Sequence, residues 1–180
     1  MSVQTPLRER AVALVTGAAG TSPHAMPAGH LTMARAPLER VELSATEHAC
    51  EVGFKSSRAL GGYNNPFDGR NLSTHELVVR VAYVVTPGAG DFQSFETQGG
   101  DDGASDPRAV EDRGETDAVL LREVLGWQGN WTGLTPSVID CAPHPEGDPD
   151  PVTDGSRVIR ETRFLMTTGA ASPSGAGPAA

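Results

Sequence analysis

The chain has 180 residues and a formal net charge of −9, and it contains 21 Gly and 14 Pro against only 38% hydrophobic residues. This composition predicts one domain whose core is small for its length, accompanied by long irregular segments. No apolar run approaches the roughly 18 residues of a membrane span. The acidity is concentrated in residues 86–117 and 140–154. Neither segment carries the basic patch that nucleic-acid binding requires.

The N-terminal part of the sequence predicts one helix, one loop and one strand. Thr5-Pro6 favours a helix start, because Thr can cap and Pro at the first helical position costs no hydrogen bond. Gly17 is a natural end for this helix. Residues 18–38 mix Gly, Pro, His and Ala without periodicity and predict a loop. Arg40–Glu51 alternates apolar and polar residues, which predicts a half-exposed strand that continues towards Phe54.

The middle of the chain contains its strongest strand pattern. Residues 55–72 are rich in Gly and Asn and predict a turn-rich connection. If the strands on either side of it pair antiparallel, this connection is the tip of a hairpin. Residues 74–86 alternate with many β-branched side chains and predict a central strand. Residues 87–114 have no periodicity and predict a long acidic loop. Residues 115–127 place apolar side chains on one face and predict a helix with Glu115 and Asp117 near its positive end.

The C-terminal part predicts a short strand over Leu134–Ala142, a turn-rich tip, a strand over Arg157–Thr168 and a flexible tail. We therefore expect an α+β fold, with a mainly antiparallel four-stranded sheet flanked by helices 5–17 and 115–127. The domain spans residues 1–168 and the Gly/Ala/Ser/Pro tail spans 169–180. The predicted core consists of Leu7, Leu14, Val41, Leu43, Leu77, Val79, Val81, Tyr83, Leu121, Leu125, Trp127, Val158, Phe164 and Leu165.

No catalytic motif is complete in the sequence. Val12–Gly20, VALVTGAAG, is similar to the opening of a dinucleotide-binding unit, but the later glycines are replaced by Thr21 and Pro23. Neither Tyr is followed, after three intervening residues, by the Lys that such dehydrogenases use. No Gly-x-Ser-x-Gly nucleophile elbow is present. We therefore expect no enzymatic activity and no cofactor.

Metal ligands are not indicated by spacing either. The histidines at 24, 30, 48, 75 and 144 show no ligand spacing with each other or with Cys50 and Cys141, so no metal site is predicted. Both cysteines are predicted to be buried free thiols. The acidic tip Asp148–Gly155 superficially resembles a calcium loop, but its oxygen spacing does not fit an EF-hand.

The order of these elements resembles that of the tail terminator proteins of long-tailed bacteriophages and phage-like particles. The similarity covers roughly residues 3–168 and includes the final hairpin, with its tip His144-Pro-Glu-Gly-Asp148, its Asp154-Gly155 turn and a strand ending in Arg163-Phe164-Leu165. It is a similarity of element order, without a diagnostic motif.

The resemblance implies a structural virion protein located in the tail or neck and assembled in the bacterial host cytoplasm. Six copies would form a ring that caps the tail tube, ends its polymerisation and docks to the head connector. The implied partners are the chain itself, the tail tube protein and a connector or stopper protein, with DNA only passing through the lumen and no membrane contact. We expect the loop aromatics to form the assembly interface: Phe92, Phe95, Tyr63 and Phe67.

Two other classes of function fit the same sequence. One is another head–tail connector component, such as a stopper or a head-completion protein. The other is a small soluble binding module with calcium in the acidic tip. The assembly state separates the ring proteins from the binding module.

Overall fold

The computed structural model describes residues 4–40, 48–59, 70–84, 107–154 and 157–171. Its helices are α1 (Gln4–Val15) and α2 (Pro107–Gly126). Its strands are β1 (Thr32–Met33), β2 (Ala49–Ala59), β3 (Arg70–Val84), β4 (Ser137–Pro143), β5 (Val152–Asp154) and β6 (Arg157–Ala171). Short 3-10 turns occupy Leu38–Arg40 and Gln128–Trp131. Neither α1 nor α2 combines the length and the apolar character needed to cross a membrane, and the described residues contain no other α-helix.

The strands form one mixed, mostly antiparallel sheet in the order β1-β2-β3-β6-β4, with β5 pairing along β6. Only the β1–β2 pair is parallel. The predicted mixture of helices with a mainly antiparallel sheet is confirmed. The predicted number of four strands is wrong, because the described residues form six. The two additional strands, β1 and β5, have 2 and 3 residues, too few to show a period in the sequence.

β3 is central, as its alternating sequence predicts. It pairs antiparallel with β2 on one side and with β6 on the other. Leu77, Val79, Val81 and Tyr83 are all buried on the face that carries the main core. β2 and β3 are thus antiparallel neighbours, and the hairpin interpretation of residues 55–72 is confirmed in that respect. Residues 55–59 nevertheless belong to β2 rather than to the turn.

The boundaries of three other elements differ from the prediction. The described part of the strand predicted at 40–51 begins only at Ala49, and residues 41–47 lie outside the described residues. β4 begins three residues later than predicted, after Thr135-Pro136. β6 continues past Thr168 to Ala171, because Gly169, Ala170 and Ala171 still find ladder partners in β3.

α2 is one and a half times as long as the helix predicted at 115–127, because it begins at Pro107. The predicted acidic loop therefore ends before residue 107, and its remaining part lies outside the described residues. This extension was not predicted because it contains Gly114, and Gly disfavours helix interiors. The position has a packing reason for Gly: a Cβ there would lie 2.5 Å from Cδ of Arg160.

α1 is confirmed and ends at Val15, two residues before the predicted limit. Gly17 follows with a φ of +73°, and a Cβ at this position would lie 2.7 Å from Cα of Ala28. The motif Val12–Gly20 is therefore a helix end followed by a tight turn. It lacks the strand that would precede the phosphate-binding turn of a dinucleotide-binding unit.

The core lies between the sheet and the two helices, and most predicted members are buried there. Trp127 is the exception: it is 44% exposed, and Trp131, which was not predicted, is buried instead. The chain leaves α2 at Gly126, so Trp127 no longer follows the buried face of the helix. Val158 and Leu165 are only half-buried, and Val41 and Leu43 lie outside the described residues.

Candidate functional site

A buried polar cluster joins α2 to the sheet and to the segment before β1. Its centre is Asp117, on the core-facing side of α2, whose side chain is 1% exposed. Tyr83 reaches it from β3, His48 from the start of β2, and His30 from the loop before β1. Arg113 lies one turn before Asp117 on the same helix. Five residues from four separate parts of the chain therefore meet beside the main core.

Both carboxylate oxygens of Asp117 have close partners. Nε2 of His30 lies 2.6 Å from Oδ1. The Tyr83 hydroxyl donates a 2.8 Å hydrogen bond to Oδ2. Nδ1 of His48 lies 3.8 Å from the same oxygen. A carboxylate this deeply buried needs such donors, because burying an unpaired charge is costly.

The contact with Arg113 indicates where His48 carries its proton. Nη1 of Arg113 lies 3.0 Å from Nε2 of His48. A guanidinium can only donate, so Nε2 is the acceptor and the proton of the neutral ring is on Nδ1, towards Asp117. The pKa of His48 lies below its ordinary value, mainly because the ring is removed from water. Arg113 and His30 lower this pKa further, while Asp117 opposes them.

The same environment affects Tyr83. Its pKa is raised well above the ordinary value, first by burial and then by the charge of Asp117. The phenol therefore stays protonated and acts as a fixed donor. The rings of His30 and His48 lie edge-to-face with centroids 5.9 Å apart, and the His48 and Tyr83 rings lie 5.2 Å apart. The cluster is closely packed as well as hydrogen-bonded.

Further contacts attach the segment between α1 and β1 to α2 and the turn that follows it. The His24 ring stacks on Trp127 at 4.2 Å, and its Nδ1 lies 3.1 Å from Oε1 of Glu123. Asn130 accepts a bond from the Thr21 amide and donates to the carbonyls of His24 and Val124. The loop predicted at 18–38 is therefore fixed in place by contacts that its sequence does not reveal.

A second feature is the outer edge of β2. The carbonyl oxygens of His48 and Cys50 point away from β3, because they accept bonds from Thr32 and Ala34. With the period of two, the backbone groups of Val52 and Phe54 point the same way. Among the described residues, no strand pairs with that edge beyond Cys50. A groove of about 940 Å³ runs alongside, between β2 and α1, lined by residues that include Arg8, Val12, Ala13, Gly53 and Phe54.

The sheet face opposite the helices is ordered by ion pairs. Arg80 contacts Glu39 at 2.6 Å and Glu51 at 2.9 Å. Lys55, the only lysine of the chain, lies 2.5 Å from Glu161, which also contacts Arg163 at 2.6 Å. The Lys55 ammonium therefore takes part in an ion pair, and the side chain is about half exposed. A catalytic lysine, in contrast, is typically desolvated.

The structure shows the surroundings of the two cysteines and of the acidic tip. Cys50 and Cys141 are buried free thiols, as predicted, and burial raises the pKa of each to about 12. In the acidic tip, Oδ1 of Asp148 accepts a 2.8 Å bond from the Arg163 amide, and Oδ2 accepts one from Arg122. The Asp148 carboxylate is thus used to fix the turn. The predicted interface residues Phe92, Phe95, Tyr63 and Phe67 lie outside the described residues.

Sequence spacing could not have revealed the polar cluster, because three of the four intervals between its members along the chain are 18 to 35 residues long. One signal was available: Asp117 lies on the apolar face of α2, four residues before Leu121. A carboxylate there requires a buried partner. No protein-family model matches the sequence, and no curated protein matches it.

Proposed function

We propose that the chain is a tail terminator subunit, which assembles as a hexameric ring and caps the tail tube. The proposal rests on the resemblance in element order, and it is supported by a mainly antiparallel sheet with two helices packed against it. The ring would end tube polymerisation and present a docking face to the head connector. A stopper or head-completion protein is the nearest alternative within the same assembly.

The observation that carries the assembly part of the proposal is the edge of β2. The backbone N–H and C=O groups of Val52 and Phe54 point away from β3, next to the groove along α1. Unpaired strand edges favour pairing with another chain. A second copy of the chain, adding a segment to this edge and filling the groove, would satisfy these groups and repeat the contact around a closed ring.

Substitution in the groove tests this assembly mode. Ala13 lines the groove on α1. In Ala13→Arg, a long charged side chain would occupy the groove without entering the core. Thr116→Arg on the exposed face of α2 introduces the same charge elsewhere and is the matched control.

Sedimentation velocity of the full chain provides the measurement. We expect the wild type and Thr116→Arg to sediment as a species of about 113 kDa, which is six copies of the 18.8 kDa chain. Ala13→Arg should sediment as a monomer with an unchanged circular dichroism spectrum. An assembly that survives Ala13→Arg would exclude this groove as the interface, and a wild-type monomer would contradict the ring.

A further inference from the structure

His30, His48 and Asp117 have the composition and arrangement of a metal-binding group. Each offers one ligand atom, and these atoms lie within 4.8 Å of one another. Among the described residues, no other group of three or more His, Cys, Asp or Glu side chains meets this condition. The three residues come from three separate parts of the fold, so the core itself holds them together.

The donor atoms indicate the class of metal. Two imidazole nitrogens and one carboxylate suit zinc and the neighbouring divalent transition metals, whereas magnesium and calcium prefer oxygen ligands only. Bond lengths of about 2.0–2.2 Å require ligand atoms roughly 3.3 Å apart around a tetrahedral ion. The two observed separations involve different oxygens of Asp117: Nε2 of His30 lies 2.6 Å from Oδ1, below that value, and Nδ1 of His48 lies 3.8 Å from Oδ2, above it.

Of the surrounding contacts, one favours metal binding and another opposes it. Tyr83 orients Asp117 through its 2.8 Å bond, as outer partners of metal ligands commonly do. Arg113 acts in the opposite direction. Metal binding at Nδ1 of His48 requires the proton there to move to Nε2, which now accepts from Arg113 at 3.0 Å. The guanidinium has no acceptor for that proton and must turn away.

We propose that His30, His48 and Asp117 form a binding site for one divalent transition-metal ion, and that Arg113 reduces its affinity. His30 Nε2, His48 Nδ1 and a carboxylate oxygen of Asp117 are the protein ligands. In the metal-free protein, a proton on each of these ring nitrogens lies between the ring and the Asp117 carboxylate, where the ion would bind. On binding, the proton on Nδ1 of His48 moves to Nε2, and the proton that His30 directs towards Asp117 must leave Nε2.

Titration of the full chain with cobalt(II) chloride tests the site, because cobalt in a tetrahedral or five-coordinate protein site gains visible absorption. We expect saturation at one cobalt per chain and displacement by zinc chloride. His30→Gln should weaken binding at least about 100-fold, since a lost ligand costs more than a lost outer partner. His144→Gln, in the turn after β4, is the matched control and should bind like the wild type.

Arg113→Gln gives the sharper test, because it changes no ligand. The glutamine removes a positive charge, and its carbonyl oxygen can accept the proton on Nε2 of His48. We expect cobalt affinity to rise about tenfold. Equal affinities of the wild type, His30→Gln and Arg113→Gln would overturn the proposal, as would the absence of stoichiometric absorption.

X-ray absorption of the zinc-loaded wild type keeps the test independent of whether any variant folds. We expect a shell of nitrogen and oxygen at about 2.0–2.1 Å that includes imidazole. A sulfur scatterer at about 2.3 Å would place the ion on a cysteine and would overturn the assignment.

Discussion

The Tyr83 hydroxyl and the Asp117 carboxylate form a 2.8 Å hydrogen bond inside the core, where the two residues are 2% and 1% exposed. This bond connects the central strand β3 to α2. It also provides a hydrogen-bond donor to one oxygen of the Asp117 carboxylate, which has no access to water. The stability of the domain should therefore depend on this pair more than on any of its exposed ion pairs.

Tyr83→Phe should reduce the free energy of unfolding by about 1–3 kcal/mol, because it leaves a buried carboxylate oxygen without its donor. Urea denaturation of the variant provides the measurement. Repeating Tyr83→Phe in an Asp117→Asn background completes a double-mutant cycle. The loss should be smaller there, and an equal loss in both backgrounds would mean that the bond contributes no coupling.

Acid should destabilise the fold through His48 and His75. Burial is the main cause that lowers both pKa values below that of the unfolded chain, near 6.5. The unfolded chain therefore takes up protons first. This stabilisation is complete above about pH 6.5 and is lost below it, by up to about 1.4 kcal/mol per pH unit for each His.

The slope of stability against pH, from urea denaturation between about pH 5 and pH 7.5, checks this linkage. His75→Gln should flatten the slope, since His75 is 3% exposed and makes a 2.9 Å bond to Thr168. His144→Gln should leave the slope unchanged. A His75→Gln slope that equals that of the wild type would show that His75 is not the titrating group.

Gly17→Ala should destabilise the domain more than Gly29→Ala. The two glycines have nearly equal φ values of +73° and +75°, so both substitutions carry the same backbone strain. At Gly29 nothing lies within 4 Å of an added Cβ, whereas at Gly17 the Cα of Ala28 would lie at 2.7 Å. We expect about 1–2 kcal/mol for Gly29→Ala and about 1–3 kcal/mol more for Gly17→Ala. Equal melting temperatures would contradict the close contact.

Val81→Asp should unfold the domain, because it places a carboxylate in the middle of the core. Val81 is 2% exposed, and desolvating the new charge costs several kcal/mol against a typical total of about 5–15 kcal/mol. Val119→Asp provides the control, since Val119 is 58% exposed on α2. Circular dichroism should show a folded Val119→Asp and an unfolded Val81→Asp. A Val81→Asp variant that melts like the wild type would refute the central position of β3.

The hydrophobic periodicity of the sequence predicted best the elements that are long enough to show it. β3, with its long alternation, was predicted correctly in type and in central position, and the apolar spacing of α1 was sufficient for a helix. β1 and β5 were missed because strands of 2 and 3 residues have no measurable period. The first two turns of α2 were missed because Gly114 disfavours a helix interior, although in the structure it lets the Arg160 side chain pack closely against the helix.

The polar cluster could not be predicted because it is a property of the fold. His30 and His48 have no relation in sequence to Asp117, and they meet it only because β1, β2 and α2 pack together. The acidic residue on the apolar face of α2 indicated that a partner must exist, but not which residue it is. The predicted loop interface stays a prediction, since its four aromatic residues lie outside the described residues.

Electron microscopy of the purified full chain tests the central claim, that this domain is a ring subunit, most directly. Class averages of the wild type should show closed rings with six-fold symmetry and an open lumen. Ala13→Arg should abolish the rings and Thr116→Arg should keep them. Two-fold dimers, or particles without rotational symmetry at every protein concentration, would contradict the account.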